Sequence, residues 1–239
     1  MAAPLKKERQ APRLSANEFA HYMVSSDTAR MGILRRAKYP QSAPLIRYRD
    51  ARDAVCRYLT DRTRSLNQLV SAESMLKQRS EDPAISAFWQ EDAKFSIEVL
   101  RAVQRMANQL GQFDFIAAPR EQPKLIVGGV EISVWADLLV HGVAKGQDQV
   151  GAAVLRMTQD DAETDAAKER RRNMGIYVAS LARLHVEQNL NLNRPPANRL
   201  CMSIDIQHGE IFVAPNANSR RMNDIENACH FIAAAWPNV

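Results

Sequence analysis

The order of hydrophobic periods along this 239-residue chain predicts an α/β (α+β) fold, a mixed central sheet flanked by helices behind a helical N-terminal lobe. Three observations carry that prediction. Residues from about 84 to 110 repeat their apolar positions with a helical period. From Gln112 the pattern changes to alternation, with "GG" at 128 and 129 as a hairpin signal. After that, a helical stretch, a strand pair and a closing helix follow one another.

Residues 1–13 are polar, with prolines at 4 and 12, and read as a disordered tail. Residues 14–83 form the expected helical lobe and 84–239 the expected α/β core. Ser15 stands as an N-cap before "ANEFAHYMV", whose Phe19, Tyr22 and Met23 recur at helical spacing. After the break at "YPQSAP", residues 46–79 fit one long helix or two shorter ones. The helix after "SEDP" carries Phe88, Asp92, Phe95, Val99, Ala102, Met106 and Leu110 on one stripe, with Glu91 and Glu98 at its border. Gly111 suits a left-handed stop.

"FDFIAAPREQPKLIV" then reads as an extended strand and "VEISVWADLLV" as its return. A polar loop "HGVAKGQDQ" precedes a third strand, "GAAVLRMT", at 151–158. Asp160, Asp161, Glu163 and Asp165 suit the N-terminus of a helix over about 165–190, because acidic groups favour the positive end of the helix dipole. "RLCMSIDIQ", "HG" and "EIFVAP" make a further hairpin, and "SRRMNDIENACHFIAAAWP" makes the closing amphipathic helix.

Charge is unevenly placed. Residues 1–64 hold 14 Lys or Arg against 6 Asp or Glu. Arg30, Arg35, Arg36, Lys38, Arg47, Arg49, Arg52, Arg57, Arg62 and Arg64 make a density that suits a polyanion through counterion release, although solvated helix faces give the same pattern. No apolar run is long enough for a membrane helix and the first residues lack the apolar region of a secretion signal, so a cytoplasmic protein with no membrane partner is expected. Cys56, Cys201 and Cys229 form no CxxC pair, and the five histidines have no shared metal spacing. There is no Walker A loop, GxGxxG or GxSxG.

The stretch "EISVWADLLVHG" places Asp137 in an otherwise apolar half of a strand. Alternation sets it on the same face as Glu131, Ser133 and Trp135, and sets Val154 and Arg156 together on the next strand. A carboxylate in a sheet centre costs several kcal/mol unless it is paired or bound to a metal, so a cation is expected beside it.

The order helix, three strands, helix, strand, with an Asp late in the second strand after a "GG" hairpin, resembles the RecB-like branch of the PD-(D/E)XK nuclease superfamily. The resemblance covers roughly Ala84 to Pro215, and "LSANEFAHY" looks like that family's serine-capped opening helix. Asn173 and Tyr177 in "NMGIY" are similar to its helix-borne Gln and Tyr. It implies a site in which Asp137 is the first acid and Glu98 or Glu91 the helix carboxylate, together holding Mg²⁺. Val154 then falls at the second acid and Arg156 at the lysine, a departure that removes a ligand and the proton acceptor.

The resemblance therefore implies a nuclease-like, catalytically degenerate nucleic-acid-binding protein of DNA processing or defence, with Asp137 and Arg156 as an ion pair in the former metal site. DNA is favoured over RNA. Arg30, Arg35, Arg36, Lys38, Arg171 and Arg172 are the expected backbone contacts, and no cofactor is expected. Two alternatives stay open. One is an active Mg²⁺-dependent nuclease using Asp137 and Glu98, with Glu131, Glu98 or Asp148 replacing the missing ligand. The other is a noncatalytic protein-interaction or homo-oligomeric assembly module.

Overall fold

The computed structural model describes residues 8–40, 47–157, 162–190 and 192–239. Residues 1–7, most of the "YPQSAP" break, Asp160 and Asp161 lie outside them. The chain begins with β1 (Arg13–Ser15), α1 (Ala16–Met23) and α2 (Asp27–Lys38). Ser15 caps α1 as expected: its Oγ accepts from the Glu18 N–H at 3.2 Å and Glu18 Oε2 accepts from the Ser15 N–H at 2.7 Å. Such a reciprocal cap contributes about 1 kcal/mol.

The next stretch holds two helices rather than one, α3 (Arg49–Thr60) and α4 (Asn67–Glu81). The next helix is α5 (Ala87–Arg105), followed by the single turn α6 (Ala107–Leu110). Asp92, Val99, Ala102, Met106 and Leu110 of the expected stripe are buried, and the buried face extends to Ala93, Ser96, Leu100 and Val103, away from Phe88 and Phe95. Those two rings sit at the border, where the Arg47 guanidinium lies 4.7 Å and 5.8 Å from their centroids. Gly111 closes α6 in a right-handed conformation, with φ −59°, so the expected left-handed stop is absent. Closeness selects the glycine there, since a Cβ would lie 3.0 Å from the Ala107 carbonyl oxygen.

The strands divide between two sheets. The larger has the order β2 (Asp114–Ala117), β5 (Leu138–Ala144), β6 (Gln147–Arg156), β7 (Met202–Asp205) and β8 (Glu210–Val213). The smaller has the order β1, β4 (Val130–Ser133) and β3 (Leu125–Val127). Both strands first read as continuous are therefore broken. "VEISVWADLLV" leaves the small sheet after Ser133 and enters the large one at Leu138, while "FDFIAAPREQPKLIV" supplies β2 to one sheet and β3 to the other. Proline explains the second break: Pro119 and Pro123 lack the N–H that a continuous ladder needs.

The glycine pair does make a hairpin, with φ of 51° at Gly128 and 80° at Gly129, the left-handed values that a two-residue turn requires. The expected polar loop after His141 is instead a second hairpin. Lys145 and Gly146 turn it with φ of 51° and 75°, and β6 starts at Gln147. Gly142 and Gly151 sit within strands because Leu200 packs against them: a Cβ on Gly151 would stand 2.1 Å from the Leu200 carbonyl carbon.

Strands β6 and β7 are parallel, with Arg156 opposite Asp205, and α7 (Asp165–Asn189) makes the crossover between them. The closing helix is α8 (Ser219–Ala235). Two apolar clusters lie on the two faces of the large sheet. One joins Ala153, Leu155 and Met157 to α3, α4 and α5. The other joins Ala152 and Val154 to α1, α2, α7, α8 and the small sheet. Helices thus flank a mixed sheet on both sides. The expected division at residue 83 does not follow this layering, since β1 pairs with β4 and α1 packs on α7. Among the described residues no helix is long and apolar enough to cross a membrane.

Candidate functional site

Asp137 lies where the chain passes between the two sheets, and its side chain is 1% exposed. Oδ1 accepts from Arg52 Nη1 at 2.5 Å and Oδ2 accepts from the Leu155 N–H at 2.7 Å. Arg52 also donates to the Leu155 carbonyl at 3.3 Å. One turn along α3, the Cys56 thiol faces the Asp137 carbonyl at 3.8 Å, and burial pushes that thiol up to about 12. Burial also pushes the Asp137 carboxyl above its ordinary range, opposed by Arg52 and by the Leu155 N–H.

The carboxylate therefore has a local purpose. It satisfies a backbone donor of β6 where main-chain pairing with β5 stops, and a helix-borne arginine neutralises it. The expected Asp137–Arg156 pair is replaced by two separate pairs. Arg156 points to the face of α1 and α7, where Nη1 lies 3.4 Å from Asp205 Oδ2. The reason is the break in the strand: once Asp137 leaves regular alternation, it no longer shares a face with Arg156.

The residues present do not fit Mg²⁺, a hard cation that takes oxygen ligands in near-octahedral array. Both Asp137 oxygens are engaged, Val154 offers no donor, and Glu98 lies elsewhere, lining a cavity of about 300 Å³ with Tyr48, Phe95, Arg105, Met157 and Gln207. Among the described residues no three His, Cys, Asp or Glu side chains gather as a metal site.

Chargeable side chains gather instead at the C-terminal ends of the parallel strands β6 and β7. A cavity of about 370 Å³ opens there, walled by Glu18 and His21 of α1, Arg170 and Arg171 of α7, and Arg156, Asp205 and His208 of the sheet. His208 Nδ1 lies 2.9 Å from Asp205 Oδ1, so Asp205 joins an imidazole and a guanidinium. Asp205 and Arg171 are almost wholly buried, with side-chain exposures of 4% and 5%. Arg171 donates to the Ala162 carbonyl at 2.5 Å. Among the described residues, Arg156, Arg170 and Arg171 line the cavity together with Glu18 and Asp205, Glu18 is engaged in the α1 cap, and Glu163 stands 4.0 Å from Arg171. After burial itself, Arg36 and Arg170 hold the His21 imidazole below its usual pKa.

The other expected contacts divide between structural and exposed positions. Lys38 is buried, with Nζ 3.0 Å from the Trp236 carbonyl, 3.2 Å from that of Pro237 and 3.5 Å from Glu8. It fastens α2 to the end of α8, a correction to its expected role at a phosphate. Arg30 bonds the Tyr22 and Met23 carbonyls at the end of α1 and pairs with Asp27. Arg35, Arg36 and Arg172 are exposed on helix surfaces. Asn173 bonds back to Glu169 within α7, while Tyr177 faces a separate cavity with Arg221 4.3 Å over its ring. Glu91 pairs with Arg47 at 2.8 Å.

Asp205, His208 and His21 were not singled out from the sequence. A signal for the first two existed in the β-α-β order. Parallel neighbours joined by a crossover end at the same edge, so an arginine closing one strand and an aspartate closing the next are brought together. Compared with protein-family models and with curated proteins, the sequence matches none.

Proposed function

We propose that this chain is a nuclease-like nucleic-acid-binding protein of the PD-(D/E)XK kind in which metal-dependent catalysis has been lost and phosphate binding kept. The observation that carries the reading is the fate of Asp137, sealed by Arg52 and the Leu155 N–H, while Arg156 faces the cationic cavity. Within the large sheet α5 is followed by β2, β5, β6, α7 and β7, with β7 parallel to β6, while β3 and β4, joined by the Gly128-Gly129 hairpin, come between β2 and β5 in the chain and belong to the smaller sheet. In support, α1 and α7, the two helices that carry the resembling motifs, wall the cavity that holds Arg156.

In this reading a backbone phosphate enters the cavity and meets Arg170 and Arg156, with Arg36 at its approach. Guanidinium forks match phosphate oxygens in geometry and in charge. No bond is broken in this reading: a buried, arginine-paired carboxylate offers no site for a metal-bound hydroxide. DNA processing or defence is the setting that the resemblance suggests.

The test is a mobility-shift series on DNA and RNA over rising salt, run alongside a cleavage assay in Mg²⁺ and Mn²⁺. Sequence-insensitive binding with a steep salt dependence and no cleavage is expected. Cleavage abolished by Asp137→Ala would overturn the loss of catalysis, and absence of any shift at low salt would overturn the reading as a whole.

A further inference from the structure

We propose that a second, open cavity, lined by α1, α2, α7 and α8, receives an unpaired nucleobase, which makes single-stranded nucleic acid the ligand class of this chain. The inference rests on the proposed phosphate site beside it. This cavity measures about 700 Å³, within the range of about 300–1,000 Å³ usual for ligand clefts. Its walls include Tyr22, Arg30, Tyr177, Asp224, Asn227 and Phe231.

Three features suit a base. Tyr177 is partly exposed, with the Arg221 guanidinium 4.3 Å from its centroid, while the buried Tyr22 lies beneath the floor with the Arg30 guanidinium 5.3 Å from its centroid. Aromatic rings and guanidinium planes are the two surfaces on which proteins stack bases, tolerant of sequence because every base has a π-face. Phe231 is 59% exposed at the rim, although its neighbours Cys229 and Ile232 on α8 are buried. The Asn227 amide and the Asp224 carboxylate provide donor and acceptor atoms for the edge of a base.

Position ties the two cavities together. His21 lines the cationic cavity and Tyr22, the next residue, lines this one. On α7, Met174 lines the first and Tyr177 the second, about 4.5 Å further along the helix axis. Within a nucleotide one sugar joins phosphate to base, so adjacent pockets of these two chemistries match one residue of an open strand. A duplex holds its bases paired and stacked, away from such a pocket. An apolar peptide fits less well, because it would cover Arg30, Arg221, Asp27 and Asp224 without replacing their hydration.

The experiment measures binding of the full chain to a short single strand, to the same sequence as a duplex, and to an abasic strand of equal length. The variants are Phe231→Ala and Arg170→Gln. The single strand is expected to bind about tenfold more tightly than the abasic strand or the duplex. Phe231→Ala, at an exposed position, is expected to erase that preference, with its Tm and salt dependence unchanged. Arg170→Gln is expected to weaken all three ligands and to lower the salt slope by about one. If the protein binds all three equally, or Phe231→Ala weakens them equally, base stacking is overturned while phosphate binding stands. If none binds, the nuclease-like reading falls with it. Binding of apolar peptides that depends on Phe231, without any preference for single strands, also overturns the proposal.

Discussion

Arg52 on α3 and Asp137 between the two sheets are joined at 2.5 Å, and together they hold both polar groups of the Leu155 peptide. One ion pair thus ties the α3–α5 face to the point where the central sheet loses main-chain pairing. A buried pair of this kind adds little net stability over an apolar pair. Removing one member is costly, because it strands the other charge.

Arg52→Ala is accordingly expected to lower unfolding free energy by about 3 kcal/mol, read by urea denaturation. Asp137→Asn, which keeps an acceptor for the Leu155 N–H and leaves a partly exposed arginine, is expected to cost about 1 kcal/mol. The sign with pH follows from the raised folded-state pKa of Asp137. The native state holds its proton to higher pH than the unfolded chain, so this group favours folding at low pH and the contribution is lost as pH rises through the folded value. Without Arg52 the pKa rises further. The deficit of Arg52→Ala is therefore expected to shrink as pH falls from neutral toward the ordinary carboxyl range.

His185 gives a pH dependence of the opposite sign. Its ring is buried between Gln122 Oε1 at 3.2 Å and Asn189 Nδ2 at 3.1 Å, and burial depresses its pKa to about 4. Unfolded, it titrates near 6.5. Stability contributed above that value is lost as pH falls from about 6.5 to about 4, by roughly 2–3 kcal/mol. Equilibrium unfolding at stepped pH is expected to show this slope in the native protein and its loss in His185→Gln.

Lys38 and Arg36, two residues apart on α2, are expected to separate stability from binding. Lys38→Met leaves the Trp236 and Pro237 carbonyls without their cation and is expected to cost about 2 kcal/mol, with nucleic-acid affinity unchanged. Arg36→Gln, on the exposed face, is expected to leave Tm unchanged and to reduce the salt slope by about one. Thermal melts and binding isotherms on both variants read the difference.

Divalent cations are expected to do little. A ligand that binds only the native state raises Tm according to its concentration over its Kd. Mg²⁺ is expected to shift Tm no more than sodium chloride of matched ionic strength, and Asp137→Asn to leave that response unchanged. A Mg²⁺-specific rise in Tm that disappears in Asp137→Asn would show that the carboxylate ligates metal.

Local signals in the sequence set much of the architecture. Ser15 with Glu18 starts α1, Gly128-Gly129 makes its hairpin, and the long helical and alternating runs give a mixed sheet flanked by helices in the observed order. These devices act within a few residues, through caps, φ preferences and periodicity, so they are legible without partners. Asp137 was legible as a buried acid in need of a cation for the same reason.

Which cation serves it was decided only by tertiary structure. Arg52 is 85 residues from Asp137, and it reaches the carboxylate because α3 packs on one face of the large sheet. Arg156 faces the other side, because the chain changes sheets between Ser133 and Leu138 and strand parity does not survive that passage. The cationic cavity likewise exists only once α7 brings β7 parallel to β6, setting Asp205 and His208 beside Arg156. Short-range patterns specify elements, whereas pairing between distant charges depends on how layers stack. Here that stacking closed one site around Asp137 and opened another around Arg156.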